Sequence, residues 1–323
     1  MRRIPAVLVA SALAALTLAG CAPAGSANSD GCTRPASAGT AAEKFVTVSG
    51  DTDSAPSVDF YSPLRAEKTS FEDVEVGTGT ALTDDAQLVV LDLTIINGSD
   101  GETLFETAYD GSNAQVLSRS EWTTPVPGLG DALDCATEGS RIVTVIPPDE
   151  IDPNTAATLG LSEGDSAVAV VDVRKVYLPK ANGADQFVEG QGMPTVVRAS
   201  DGTPGIIIPD ATAPDEVVVE VLKKGDGEVV TGDAPVRVHY TGVTWDGDEP
   251  FDSSWGSKPV SLTVEGVVEG FGQALEGQTV GSQILVVIPP EFGYGDQEQA
   301  EIPANSTLVF VIDILGIDPV PAE

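Results

Sequence analysis

The sequence is poor in the residues on which metal and nucleophile chemistry depend. Only one of its residues is histidine, His239, and only three are cysteines. A zinc site needs a set of such ligands close together. A Ser-His-Asp triad would have to use His239, and the chain contains no nucleophile-elbow motif. A glycine-rich phosphate loop is also missing. The sequence therefore argues against metal-dependent, triad-based and phosphate-binding chemistry.

Basic and aromatic residues are scarce as well. The 323 residues include 16 Lys and Arg against 50 Asp and Glu, a formal net charge of -34, and aromatics make up 5%. So acidic a chain repels phosphate backbones, which argues against nucleic acid as a partner. The apolar content of 41% still suffices for two cores of ordinary size. The 34 glycines and 23 prolines favour a turn-rich, β-rich architecture.

The sequence has no apolar run long enough to cross a bilayer. Its longest, over 4–19, follows Arg2 and Arg3 and is short for a membrane span. The run ends in LAGC at 18–21, which resembles a bacterial lipobox. This pattern predicts a lipoprotein signal peptide over 1–20 and diacylglycerol on Cys21. The protein would then be extracytoplasmic and anchored to the bacterial cell membrane; ordinary secretion with a free Cys21 is the alternative.

If Cys21 carries lipid, Cys32 and Cys135 remain as an even pair in an oxidising compartment. We therefore expect a disulfide between them. Two free thiols are the alternative.

Two stretches without a periodic apolar pattern divide the chain. Residues 21–44 are rich in Ala, Ser, Gly and Pro, which is typical of a flexible stalk between a lipid anchor and a folded body. Residues 179–214 contain several prolines and Gly-containing turns, which indicates a linker. The expected folded domains are thus 45–178 and 215–323.

The two expected domains are weak copies of each other. Residues 128–149 read GLGDALDCATEGSRIVTVIPPD and residues 270–291 read GFGQALEGQTVGSQILVVIPPE, with 12 of 22 positions identical. The flanking segments follow suit: 88–96 matches 236–244, and 166–176 matches 306–316. Duplication explains this similarity better than chance.

The second copy reads as antiparallel strands with one short helix. Segments 217–222, 236–244, 260–264, 282–288 and 307–315 are rich in Val, Ile, Leu and Thr and are bounded by Gly or Pro. Within 268–275, Phe271 and Leu275 are one helical turn apart, so both face the sheet.

Four motifs in this copy keep a fixed order: VHYTG at 238–242, FDSS at 251–254, IPPEFGYG at 288–295 and IPANSTLVF at 302–310. Together they resemble the FKBP-type peptidyl-prolyl isomerases, over roughly 215–318. The resemblance implies an α+β fold with two FKBP-like domains, each a twisted antiparallel β-sheet wrapped around one short α-helix. It also implies cis-trans isomerisation of X-Pro bonds without covalent catalysis or a cofactor.

The resemblance also implies the partners and the site. The partners would be unfolded or proline-containing exported polypeptides, and macrolides are further candidate ligands. In the implied site, Tyr240, Phe251 and Phe310 are aromatic walls, Phe271 is the aromatic floor and Ile302 is an apolar rim. Val267 and Val268 begin the helix, where a backbone N–H binds the substrate. Tyr294 would donate a hydrogen bond from its hydroxyl, and Asp252 would be the polar neighbour of the twisting carbonyl.

The sequence departs from the family at several of these places. Phe271 stands where the best-known members have Trp, and Glu301 occupies a rim position that is usually apolar. In the first copy most of the set is absent: Asp92 aligns with Tyr240 and Val170 with Phe310. Leu129 stands where the second copy has Phe271. Only Phe105, Glu106 and Val126 resemble their counterparts in the second copy.

The first copy is therefore predicted to be degenerate and inactive. Two other interpretations of the whole chain stay open. One is a chaperone or peptide-binding lipoprotein that uses the same scaffold without turnover. The other is a tethered structural protein in which both copies are spacers.

Overall fold

The computed structural model describes residues 32–111, 114–187, 190, 192–247 and 249–320. In these residues the N-terminal half contains the following α-helices and strands: α1 (Ala41–Phe45), β1 (Val46–Ser49), β2 (Ser57–Phe60), β3 (Ser70–Glu75), β4 (Leu88–Asn97), β5 (Thr103–Glu106), β6 (Val116–Ser118), α2 (Arg119–Thr123), α3 (Gly130–Leu133), β7 (Arg141–Ile146), α4 (Pro153–Leu159) and β8 (Ala167–Val176).

The C-terminal half is built mainly from strands around one short α-helix. Its elements are β9 (Ala184–Asp185), β10 (Thr195–Arg198), β11 (Pro204–Ile207), β12 (Val218–Lys224), β13 (Val236–Thr244), β14 (Pro250–Ser253), β15 (Val260–Leu262), α5 (Glu269–Leu275), β16 (Gln283–Ile288) and β17 (Leu308–Ile317). The strand predicted over 236–244 is confirmed as β13. The other four predicted strands are confirmed with ends shifted by at most two residues.

The two large sheets share one strand order. The C-terminal sheet runs β14-β13-β17-β16-β12-β9, with β15 also paired to β13. The N-terminal sheet runs β5-β4-β8-β7-β3, with β6 also paired to β4. Every pairing in both sheets is antiparallel. The repeat seen in the sequence therefore corresponds to a repeat of strand topology.

Helix α5 covers the inner face of the C-terminal sheet. Its Phe271 and Leu275 belong to one buried cluster with Ile284 and Ile288 of β16, which confirms the predicted orientation of the helix. Because side chains alternate along a strand, the intervening Leu285 faces the opposite side, yet it is fully buried as well. The outer face of this sheet must therefore also be covered.

The segment 179–214, expected to be a linker, provides that cover. Strand β9 pairs with β12, and β10 and β11 form a hairpin whose Val196 and Ile206 pack against Trp245 and Leu285. The Trp245 indole N–H also donates to the carbonyl oxygen of Ala211 at 3.1 Å. The linker expectation is wrong here because a strand that is apolar on both faces needs a second layer.

The stalk expectation fails over residues 32–44, while residues 21–31, including Cys21, lie outside the described part of the chain. The Arg34 guanidinium pairs with Asp73 and stacks 4.9 Å from the ring centre of Phe71. Cys32 is joined to Cys135 by a disulfide with a Cα–Cα distance of 5.6 Å. These contacts hold the segment against the N-terminal half. No helix in the described residues has both the length and the apolar character needed to cross a bilayer.

Tyr177, just after β8, connects the two halves. It is fully buried, and its hydroxyl donates to Asp318 at 2.8 Å. The same carboxylate accepts hydrogen bonds from Arg237 of β13 and from Ser261 of β15. A carboxylate with several donors holds them in fixed positions, so the N-terminal half is tied to two strands that also position the cavity described below.

Candidate functional site

One cavity of the C-terminal half brings together almost all of the site residues that the resemblance implies. It has a volume of about 400 Å³ and lies between α5, β13, β14 and the loop before β17. Its lining comprises Tyr240, Phe251, Asp252, Leu262, Gly266, Val267, Val268, Phe271, Tyr294 and Phe310. The geometry thus places eight of the nine predicted residues around one opening.

Aromatic rings that meet edge to face form the inner wall of this cavity. The ring of Phe310 has its centre 5.1 Å from that of Phe271, 5.6 Å from that of Phe251 and 6.1 Å from that of Tyr240. Tyr240 and Phe271 are 6.2 Å apart and nearly perpendicular. Contacts of this kind stabilise each ring beyond its burial. Phe310 is the common partner and fixes the shape of the wall.

A hydrogen bond joins the two polar groups at the edge of this wall. The Tyr240 hydroxyl donates to a carboxylate oxygen of Asp252. Burial, and then this hydrogen bond, raises the pKa of Tyr240 above its ordinary value. The hydrogen bond holds the Asp252 carboxylate beside Tyr240 at the edge of the cavity.

The start of α5 supplies a backbone donor. Val268 is the N-cap residue, with extended backbone and no side-chain cap. Its carbonyl accepts from the N–H groups of Phe271 and Gly272. Within the described residues, no acceptor is found for the Val268 N–H. Since the first N–H groups of a helix lack partners inside the helix, this one is available to a ligand in the cavity.

Tyr294 and Ile302 occupy different environments. Tyr294 lines the cavity with 39% of its surface exposed. Ile302, expected at the rim, is buried in the core cluster with Phe271 and Phe310 instead. It therefore supports the rings from behind and does not line the opening.

Sequence reasoning missed two lining residues, Leu262 and Gly266. Leu262 also packs against the core cluster, as an ordinary strand residue would. Its position at the end of β15, two residues from Val260, places both on the inner face. That alternation was the available signal. Gly266 ends a short 3-10 helix, Val264–Gly266, for which the sequence had no separate indication.

In the N-terminal half, the counterparts of the cavity residues on β13 and β17 differ by one position from those expected from the sequence. Strand β4 has an irregularity in its pairing with β8, between Val90 and Leu91. Strand β13 has the equivalent irregularity in its pairing with β17, between Arg237 and Val238. With these irregularities superposed, Tyr240 corresponds to Leu93. The earlier pairing of Tyr240 with Asp92 is wrong by one residue, which in a strand means the opposite face.

The partner strand shows the same correction. Gly242 pairs with Phe310 in one sheet as Ile95 pairs with Ala169 in the other, so Ala169 is the counterpart of Phe310. Val170, its supposed counterpart, faces the outer cluster of the N-terminal sheet. The N-terminal half therefore has aliphatic side chains, Leu93 and Ala169, where the C-terminal cavity has rings.

The N-terminal counterpart of His239 is Asp92. In the C-terminal half, Ser254 bridges His239 Nδ1 and the Tyr240 backbone N–H, each at 2.9 Å. In the N-terminal half, the Thr107 hydroxyl likewise donates to Asp92 at 2.7 Å and accepts from the Leu93 N–H at 3.1 Å. The equivalent hydrogen bonds support the corrected register independently.

Comparison with known proteins identifies relatives of the C-terminal half. The family model described as FKBP-type peptidyl-prolyl cis-trans isomerase matches residues 225–315. A relative from Escherichia coli strain K12, FKBP-type peptidyl-prolyl cis-trans isomerase FkpA, is 38% identical over 111 residues, which cover 34% of this chain and 41% of that protein. The chain thus spans less than half the length of this relative.

Two further similarities were found. The crystal structure of FkpA from Escherichia coli matches with 33% identity over 41% of this chain and 55% of that chain, at a TM-score of 0.32. The Probable FK506-binding protein of Corynebacterium glutamicum is 34% identical over 114 residues, which cover 35% of this chain and 97% of that protein. Because this last alignment spans nearly the whole relative, the chain belongs to the FKBP-type peptidyl-prolyl cis-trans isomerase family.

Proposed function

We propose that the C-terminal half catalyses cis-trans isomerisation of X-Pro bonds in its aromatic cavity. The observation that carries this proposal is the convergence of Tyr240, Phe251, Phe271 and Phe310 around one opening. The family relationship supports it.

The physical requirement of the reaction is modest. Rotation about an X-Pro amide has a barrier of about 20 kcal/mol because the twisted bond loses its resonance. A catalyst must bind the twisted amide better than the planar one. The twisted form has less charge separation and is therefore less destabilised by an apolar cavity. Rings packed edge to face can hold the pyrrolidine without any covalent step.

Polar groups at the rim orient the peptide. In this proposal the Val268 N–H and the Tyr294 hydroxyl donate to substrate carbonyls. Asp252, held by Tyr240, lies beside the carbonyl that rotates. None of these groups transfers a proton. Macrolides that imitate the twisted peptide would bind to the same wall.

The proposed setting is extracytoplasmic. The segment 1–20 would direct export, and Cys21 would carry the lipid that anchors the protein to the bacterial cell membrane. Exported polypeptides that contain proline would be the substrates. In the proposed division, residues 32–178 form an inactive FKBP-like domain, because Leu93 and Ala169 replace the rings of the active one. Residues 179–320 form the catalytic domain together with its covering hairpin.

A protease-coupled assay with X-Pro peptides tests the activity. The full chain is expected to accelerate isomerisation, and the double variant Tyr294→Phe, Phe271→Ala is expected to lower kcat/KM at least tenfold, since about 1.4 kcal/mol of lost transition-state stabilisation has that effect. The matched control is Tyr61→Phe, Phe187→Ala. Both of these residues are more than 90% exposed, so turnover should be unchanged.

Two results would contradict the proposal. Unchanged turnover in the cavity variant would exclude this site. Binding of unfolded polypeptides without acceleration by the unmodified chain would favour the chaperone interpretation, in which the same cavity holds peptides without turnover.

A further inference from the structure

A second cavity, in the N-terminal half, lies at a place that the proposed isomerase chemistry does not use. It has a volume of about 430 Å³ and opens beside β5. The rings of Phe105, Tyr109 and Trp122 and the carboxylates of Asp92 and Glu106 are part of its lining. Its lining has no Lys or Arg side chain. Aromatic faces combined with carboxylates are the surroundings that organic cations prefer in proteins.

The corresponding position of the C-terminal half is closed. There the ring of Trp255 stacks on His239 at 4.4 Å between ring centres. In the N-terminal half a carboxylate, Asp92, takes the place of His239, and the space in front of it is the cavity. The N-terminal half therefore has a largely buried carboxylate that lines a cavity where the C-terminal half has an imidazole covered by a ring.

The walls of this cavity are held in place by hydrogen bonds. Asp92 accepts from Thr107 at 2.7 Å, and its second oxygen lies 3.3 Å from Arg174 Nε. Arg174, which is outside the lining, offsets the charge of Asp92, so Asp92 alone does not make the cavity anionic. Glu106 is exposed and forms no salt bridge among the described residues. The site is thus an aromatic recess in which Asp92 is held in place and Glu106 is exposed.

The location favours a polypeptide as the occupant. Phe105 and Glu106 are the last two residues of β5, which is an edge strand of the N-terminal sheet. Edge strands carry unpaired backbone groups that can bind an extended chain. A peptide paired there would have alternate side chains directed towards Phe105 and the cavity.

We propose that this cavity binds the lysine or arginine side chain of an extended polypeptide that pairs with β5. The aromatic rings would hold the alkyl part of the side chain. Its cationic end would reach past the end of β5 to Glu106, which faces the opposite side of the strand from Phe105 but also lines the cavity. The inference does not depend on isomerase activity, because Phe105, Tyr109 and Trp122 line a cavity that is separate from the catalytic one.

Nuclear magnetic resonance of the isotope-labelled full chain tests the proposal. The three tryptophan indole N–H signals, from Trp122, Trp245 and Trp255, report on separate places. The probes are a blocked Ser-Val-Lys-Val-Ser peptide and its counterpart with neutral norleucine. We expect the lysine peptide to shift the Trp122 signal and to bind about tenfold more tightly than the norleucine peptide. Added salt should reduce this difference.

Variants identify the groups responsible. Glu106→Gln is expected to weaken binding of the lysine peptide about threefold or more, with little effect on the norleucine peptide. Glu102→Gln is the matched control, because Glu102 is an exposed acid beside the same strand and outside the lining. Phe105→Ala should weaken both peptides.

Three outcomes would overturn the proposal. Equal binding of the lysine and norleucine peptides would show that the cavity does not select charge. Choline binding as tightly as the lysine peptide would make it a site for small cations instead. An unmoved Trp122 signal at saturating peptide would exclude this cavity altogether.

Discussion

A β-carbon on Gly242 would lie 2.5 Å from Cε1 of Phe310. It would also lie 2.7 Å from Cζ of Phe251. The two rings therefore approach the backbone of β13 more closely than any side chain at position 242 permits. This contact explains why the VHYTG motif ends in glycine, since its absence of a side chain lets both rings lie against the strand.

Gly242→Ala should consequently damage both stability and the cavity. Forcing a methyl group against the buried ring of Phe310 and the half-buried ring of Phe251 costs about 1–3 kcal/mol. It also displaces Phe251 and Phe310, so kcat/KM for X-Pro peptides should fall. Urea unfolding and the protease-coupled assay measure the two effects.

Gly130→Ala is the control for that change. A β-carbon on Gly130 would meet no atom within 4 Å, and the residue begins α3 with helical backbone. Its replacement should leave activity unchanged and stability unchanged or up to about 1 kcal/mol higher. Equal effects of the two variants would contradict the role assigned to Gly242.

The catalytic fragment is expected to need residues 179–214. A fragment that starts at 215 lacks the β10–β11 hairpin and exposes Trp245, Leu285 and Val309, which the hairpin covers. Apolar surface costs about 25 cal/mol per Å² when it is exposed. The fragment 179–320 should therefore unfold at a higher urea concentration than 215–320 and aggregate less.

Denaturation curves and light scattering of the two fragments provide the measurement. Equal stability would indicate that the hairpin is dispensable and would restore the linker interpretation of this segment.

His239 should make stability depend on pH. Burial lowers its pKa to about 4 from 6.5. Below pH 6.5 the unfolded chain takes up a proton that the folded chain does not, so stability is lost as the pH falls towards 4. From this residue alone, the free energy of unfolding should be about 2 kcal/mol lower at pH 5 than at pH 8.

The variant His239→Gln isolates this contribution, because the chain has no second histidine. Its unfolding free energy should vary less between pH 8 and pH 5 than that of the unmodified chain. Parallel pH profiles would show that His239 titrates normally in the folded protein.

The disulfide between Cys32 and Cys135 should stabilise the N-terminal half. It joins residues 103 positions apart, and a loop of that length contributes about 3–5 kcal/mol by restricting the unfolded chain. Intact mass with and without reductant would establish the bond, and urea unfolding of the Cys32→Ser, Cys135→Ser variant would measure its effect. Two alkylatable thiols in unreduced protein would contradict the prediction.

Much of the catalytic half follows from local sequence. Alternating apolar residues locate its strands to within two positions, and Phe271 and Leu275 indicate the buried face of α5. The family resemblance implies nine site residues, and eight of them line the cavity. These features can be predicted from sequence because the direction of a side chain within a helix or strand depends only on the residue period of that element.

The tertiary structure decided what depends on pairing between distant segments. Ile302 is core and Leu262 is cavity lining because of how loops and β15 close over the sheet. The hairpin in 179–214 has its partner surface on strands far along the chain, so its turn-rich composition indicated only a linker.

The register of the N-terminal copy illustrates the limit most directly. Strand β4 is mostly apolar and is buried at almost every position, so its sequence accepts a slip of one residue in an alignment, and Asp92 and Leu93 are both plausible partners of Tyr240 by pattern. The sequence by itself determined that the chain contains two related sheets and that only the second copy carries the set of aromatic and tyrosine residues. The structure decided which face each residue occupies, because register is set by irregularities and hydrogen bonds between strands, and a shift of one residue exchanges the two faces.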